Sequence, residues 1–90
     1  MQPTTPIPPF ERAFGPASQA MLRRAGIDSL PSLAALGSVE AYRRTKAVNA
    51  GASLNLLWAI EGVLSGRDWR IVAREDRLRL LNQLETDHAG

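Results

Sequence analysis

One stretch of the chain combines a dense apolar composition with a start and a stop signal. It reads SLNLLWAIEGVLSG, from Ser53 to Gly66. Serine is favoured just before the first turn of a helix, and glycine most readily takes the left-handed conformation that follows the last turn. The apolar residues between them cover almost the whole circumference of a helix, which is typical of a helix buried at the centre of a domain. The stretch is too short to cross a membrane, which needs about 20 apolar residues.

The size of the chain allows one domain around this helix. Its 90 residues are too few for two domains, and a hydrophobic fraction of 44% with a charged fraction of 22% is that of an ordinary globular protein. The chain has no cysteine, which excludes disulfides and thiol chemistry. The start of the chain lacks the pattern of a signal peptide, so we expect a cytoplasmic protein. The net charge of +2 favours an anionic partner only weakly.

Short helices separated by glycine, proline and capping residues are predicted elsewhere. No segment alternates between apolar and polar residues with a period of two, so the predicted fold class is all-α. We expect a single compact domain of about five short helices, with one further helical turn over residues 10–14. Besides the central helix, the predicted helices cover 17–25, 30–36, 39–49 and 73–85, and residues 67–72 are a linker.

The two ends of the chain are predicted to differ from the helical domain. Residues 1–12 begin with MQPTTPIPP, whose four prolines disfavour helix and indicate an extended N-terminal arm. The helical domain is predicted over residues 13–86. Residues 87–90 are expected to fray as a short tail.

Residues that could carry out catalysis or bind a metal are scarce. The one histidine, His88, lies in the predicted tail, and no cluster of histidine and cysteine exists. The acidic pair Glu75 and Asp76 is explained by the start of a helix, where carboxylates are favoured. Arg79 is four residues after Glu75 and is expected to pair with it. We therefore predict a protein that is not an enzyme and that has no metal and no cofactor.

The central helix contains an acid and a glycine that its apolar character does not explain. Glu61 is either a buried acid with a raised pKa or, as we favour, a carboxylate that is exposed or paired with arginine. Gly62 costs helix propensity and indicates the close approach of another backbone. Trp58 is expected in the core. For Trp69, in the predicted linker, two interpretations stay open: a place in the core, or a place on a surface that contacts a partner.

Three runs in this sequence resemble the C-terminal domain of the TfoX/Sxy family of bacterial competence regulators. The runs are GPASQAMLRRAGI (Gly15–Ile27), LGSVEAY (Leu36–Tyr42) and SLNLLWAIEG (Ser53–Gly62). They occur in the family's order, and the resemblance covers about Phe14 to Leu84. TfoX proteins carry another domain ahead of this one, so the chain is interpreted as a stand-alone relative or as a domain of a longer protein.

The resemblance implies an all-helical domain akin to helix-hairpin-helix modules. In those modules a hairpin, usually Gly-x-Gly, leads into a helix whose first amides bind a DNA phosphate. Carried over to this chain, Gly15 is the second hairpin glycine, and the amides of Ala17 and Ser18 are the phosphate donors. Pro16 has no N–H to donate, and Ala13 stands where the first glycine would be.

Two functions follow as hypotheses. The first is a regulatory module that binds the DNA backbone, or a DNA-bound transcription factor, through the Gly15 hairpin and a set of basic side chains. That set is Arg23, Arg24, Arg43, Arg44 and Lys46.

The alternative is a protein-interaction or homodimerisation module that binds no nucleic acid. Its patch would consist of Ile7, Phe10 and Trp69, although Ile7 and Phe10 could instead tie the arm to the core. No membrane partner is expected.

Overall fold

The computed structural model describes residues 10–89 of the chain, without the side chains of Glu11 and of residues 87–89. Most of the predicted N-terminal arm, including Ile7, lies outside the described residues, and the boundaries set at residues 12 and 86 stay predictions. His88 is described only by its helical backbone.

The described part of the chain is helical and contains no strand, which confirms the all-α prediction. Six helices of seven or more residues follow one short helical turn, where about five were expected. The turn, predicted over residues 10–14, is present. The elements are α1 (Phe10–Ala13), α2 (Pro16–Arg24), α3 (Leu30–Leu36), α4 (Ser38–Val48), α5 (Leu54–Ser65), α6 (Trp69–Glu75) and α7 (Arg77–Ala89). Within residues 10–89, no helix has both the length and the apolar character that a membrane span requires.

Helix α5 is the centre of the fold, as its composition predicts. Its side chains Leu57 and Ile60 are completely buried, and Trp58 is 3% exposed, so Trp58 belongs to the core. All the other helices contribute to the same apolar cluster, which includes Phe10, Leu22, Leu33, Tyr42, Val72 and Leu80. Burial of this cluster supplies the main driving force for folding.

The two ends of α5 differ in how well the sequence predicts them. Gly66 takes the left-handed conformation (φ 74°), as expected. Ser53 occupies the N-cap position, as predicted, but its hydroxyl accepts no hydrogen bond from the first turn. The amide of Leu56, which such a hydroxyl would satisfy, donates instead to the main-chain oxygen of Ser53 at 2.9 Å.

The region after α5 differs most from the prediction. The linker predicted over residues 67–72 is mostly helix, because Asp68 caps α6 by accepting a hydrogen bond from the Arg70 amide at 2.8 Å. The helix predicted over 73–85 is interrupted at Asp76, which ends α6 and precedes α7. The expected pair between Glu75 and Arg79 does not form, since Arg79 binds Asp76 at 2.8 Å instead.

Gly62 allows the close approach that its place in α5 predicts. A Cβ atom at this position would lie 2.7 Å from the main-chain oxygen of Arg67 and 3.3 Å from the amide of Trp69. The chain therefore turns from α5 into α6 directly against the surface of Gly62, where any side chain would collide with backbone.

Candidate nucleic-acid interface

The region that the resemblance assigns to the hairpin lies between α1 and α2. Gly15 precedes α2 in an extended conformation (φ −71°, ψ 170°), which other residues also adopt, and Pro16 is the first residue of the helix. The side chain of Gln19 closes the connection by donating to the Phe14 carbonyl at 2.8 Å. Ala17 is exposed, and Ser18 is half-buried. The amides in the first turn of a helix have no acceptor inside it, so they can bind an anion.

Phe10 does not contribute to an exposed patch, and its assignment to one is wrong. The side chain is 5% exposed, and its ring lies 5.4 Å from that of Phe14. The guanidinium of Arg23 also lies over the Phe10 ring, 5.4 Å from its centre. Phe10 thus ties the start of the described chain to the core, which was the other interpretation of this residue.

Two of the predicted basic residues, Arg24 and Lys46, bind main-chain carbonyls. Arg24 at the end of α2 donates to the Val48 carbonyl at 3.4 Å. Lys46 donates to two carbonyls of the loop after α4, at 2.9 and 2.8 Å. The side chain of Asn49 joins the same two helix ends by donating to the Met21 carbonyl at 3.0 Å. The ends of α2 and α4 therefore lie side by side, and the carbonyls leave both positive charges without a compensating negative charge.

Two more residues of the predicted basic set, Arg43 and Arg44, share one carboxylate. Glu40 accepts from Arg43 at 2.7 Å and from Arg44 at 2.8 Å, one helical turn later on α4. The hydrogen bond from Arg44, followed by the positive charge of Arg43, lowers the pKa of Glu40 below its ordinary value. One of the two positive charges on this part of α4 is therefore balanced within the helix.

The charge of the whole chain is divided unevenly between its two halves. Residues 10–52 contain six lysines or arginines and three acids, whereas residues 53–89 contain five arginines and six acids. The positive surplus therefore lies in α1 to α4, which contain every side chain of the predicted basic set.

A second charged cluster centres on Glu61. Its carboxylate accepts from the hydroxyl of Ser38 at 2.7 Å, and its other oxygen lies 3.3 Å from Arg79 and 3.8 Å from Arg67. The side chain is 17% exposed. The arginine-paired interpretation of Glu61 is confirmed, and the cluster joins α4, α5 and α7.

The same arginines hold a second carboxylate, that of Asp76 between α6 and α7. Arg67 makes a bidentate contact with it, and Arg79 binds it at 2.8 Å. These hydrogen bonds, Arg67 first, lower the pKa of Asp76 to about 2. Sequence patterns do not reveal this cluster, because its members come from four separate parts of the chain. The one local signal was the acid at position 76 in an otherwise continuous helical pattern.

Trp69 is a surface residue at the start of α6. Its side chain is 43% exposed, and the guanidinium of Arg70 lies 5.6 Å from the centre of its ring. Trp69 lies in α6, whereas the hairpin region lies between α1 and α2. Of the predicted interaction residues that the structure describes, only Trp69 is exposed.

Among residues 10–89, excluding the side chains that are not described, no group of three or more acids, histidines or cysteines could hold a metal ion. The clustered carboxylates face arginines instead.

The family model of the TfoX C-terminal domain matches residues 12–84, which is most of the chain. No curated protein and no solved structure matches. Because the match covers far more than half of the sequence, and because the described part is a single all-helical body, the chain belongs to the family of TfoX C-terminal domains.

Proposed function

We propose that this domain is a non-enzymatic regulatory module of bacterial competence that binds the DNA backbone, or a transcription complex on DNA, in the cytoplasm. The observation that supports this proposal is the pairing of Arg24 and Lys46 with main-chain carbonyls at the adjacent ends of α2 and α4. A cation held by neutral carbonyls is fixed in position and keeps its charge, so it can still attract a phosphate.

The hairpin-like start of α2 extends this surface. Within the nine residues of α2, the amides of Ala17 and Ser18 lie about 10 Å along the helix axis from the arginines at its other end. We assign Gly15, Ala17 and Ser18 to one phosphate contact and Arg23, Arg24 and Lys46 to others, in a helix-hairpin-helix-like arrangement. Arg43 and Arg44 contribute less, because Glu40 balances one of their charges.

Binding should be weak, independent of DNA sequence and sensitive to salt. Each phosphate that a cation neutralises contributes about −0.9 to the slope of log affinity against log salt. Contacts by Arg23, Arg24 and Lys46 should therefore give a slope of about −3. Fluorescence anisotropy with labelled duplex and single-stranded DNA at low salt measures both affinity and slope. Absence of binding to either DNA at low salt would refute direct DNA binding.

A matched pair of variants locates the surface. Arg23→Gln with Arg24→Gln should weaken binding and make the salt slope shallower. Arg70→Gln with Arg74→Gln removes the same charge from α6, where the two side chains are 74% and 73% exposed, and should change binding little. Equal losses of DNA affinity in both variants would show that binding depends only on the net charge of the domain.

The hairpin amides are tested by a charge placed beside them. Ala17→Glu adds an acid in the first turn of α2, which favours the helix but repels phosphate. We expect unchanged or slightly higher thermal stability together with weaker DNA binding. Ala34→Glu, at an exposed alanine of α3, is the control for the added charge.

The alternative function, a protein-interaction module without nucleic-acid binding, is supported by the exposure of Trp69 beside Arg70. Tryptophan and arginine are the residue types most enriched at the energetic centres of protein interfaces. A pull-down with and without nuclease separates the two functions. Partners that persist after nuclease treatment and are lost with Trp69→Ser would favour this alternative.

A further inference from the structure

A groove between α4 and α7 lies beside the proposed phosphate-binding surface and shares only Lys46 with its main contacts. Its volume is about 660 Å³, within the range of about 300 to 1,000 Å³ that is usual for binding pockets. It is lined from α4 on one side and from the middle of α7 on the other. Its central residues are Tyr42, Lys46, Ala47, Leu81, Leu84 and Glu85.

The open surface of the groove is mostly apolar. Ala47 is exposed, and Leu81 and Leu84 are half-buried, so their apolar atoms are open to a partner. Tyr42 is 6% exposed and also lines the groove. This mostly apolar, solvent-open surface is suited to being covered by a partner.

The charges of the two walls are opposite. On the α4 wall, Lys46 binds only main-chain carbonyls. On the α7 wall, Glu85 is exposed and forms no ion pair with any side chain that the structure describes. A surface with an apolar centre, a cation on one side and an acid on the other is complementary to itself under a two-fold rotation.

We propose that the groove between α4 and α7 binds the same groove of a second copy of this chain. In this symmetric dimer the acid wall of each copy faces the basic wall of the other, and Leu81 and Leu84 pack across the axis. A stable interface buries about 800 Å² per partner, roughly a seventh of the 5669 Å² surface described here. The groove alone covers less than this, so the dimer should be weak and depend on concentration.

The oligomeric state tests this proposal independently of DNA binding. Sedimentation velocity and light scattering of the full chain, from micromolar to millimolar concentration, should show a monomer passing into a dimer, and salt should weaken it. A monomer at every concentration would overturn the proposal and leave the groove to another protein or to a small ligand. Trimers or open-ended association would also overturn it, since a two-fold contact closes.

Two pairs of variants locate the interface. Ala47→Arg fills the groove, and Glu85→Lys puts cations on both walls; each should raise the dimer dissociation constant at least about tenfold. The controls make the same changes elsewhere at exposed positions, Ala34→Arg on α3 and Glu75→Lys on α6, and should leave it unchanged. A dimer that survives Ala47→Arg, or that the controls weaken equally, would refute this interface.

Discussion

Replacing Gly62 by alanine should destabilise the domain, although the same change inside most helices is stabilising. Alanine favours helix by about 1 kcal/mol over glycine, so an open site in the middle of α5 would gain that amount. Here the added Cβ atom would lie 2.7 Å from the Arg67 carbonyl oxygen and 3.3 Å from the Trp69 amide nitrogen. Both atoms belong to the backbone, so no side-chain rotation can relieve the contact.

The size of the effect follows from how firmly that backbone is held. The amide of Arg67 donates to the Gly62 carbonyl at 2.9 Å, and the amide of Gly66 donates to the same oxygen. Overpacking costs about 1 to 3 kcal/mol, and the fixed turn places this site near the upper value. After subtraction of the gain in helix propensity, the free energy of unfolding should fall by about 2 kcal/mol.

Urea unfolding followed by circular dichroism measures this difference directly. In a domain of this size a loss of about 2 kcal/mol lowers the melting temperature by about 8 to 16 °C. Gly51→Ala is the control, because a Cβ atom there meets nothing within 4 Å and its φ is ordinary. The control should be neutral or slightly stabilising. A Gly62→Ala protein that is about 1 kcal/mol more stable than the native chain would refute the close approach of α6 to α5.

Two further predictions concern the carboxylates. The pKa of Asp76 is lowered from 3.8 to about 2 by Arg67 and Arg79, so its contribution to stability is complete above about pH 4 and is lost as the pH falls towards 2. Asp76→Asn should lower stability at neutral pH and flatten this acid limb of the stability profile, measured by urea unfolding from pH 2 to 7; an unchanged limb would contradict the assignment. Glu40→Gln removes the acid that balances the arginines of α4, so it should tighten DNA binding in the anisotropy assay. Its cost in stability should be small, since both ion pairs are partly exposed.

The parts of the fold that the sequence predicts are those that depend on local signals. The apolar stretch of α5 and the glycine after it are enough to place a buried helix that ends at Gly66. The same holds for α2, where Gly26 takes a positive φ and Ile27 is buried behind it, as a glycine-terminated helix requires. Each of these features depends on a few adjacent residues, so the pattern of apolar residues and glycines in the sequence predicts it.

The errors fall where a distant residue decides the local structure. Asp76 lies within a continuous helical pattern, yet arginines from the α5–α6 loop and from α7 both bind its carboxylate at a break between helices. Glu61 looks out of place in α5 until Ser38, 23 residues earlier, is seen to donate to it. Sequence spacing cannot supply such partners, because they are brought together only by the folded chain. The exception is Asp68, whose ordinary capping signal for α6 was present in the sequence.

The same distinction governs which basic residues remain available to a partner. Arg43 and Arg44 form the most conspicuous basic run of the sequence, and Glu40 lies three and four residues before them, where helical spacing alone predicts the pairing. Arg24 and Lys46 are less conspicuous and 22 residues apart, but the fold places both at adjoining helix ends and gives them carbonyl partners that leave their charge intact. A count of arginines therefore overstates the phosphate-binding capacity of α4 and understates that of the junction between α2 and α4. For a domain with a net charge of only +2, the location of the uncompensated cations should determine whether it binds DNA more than their number does.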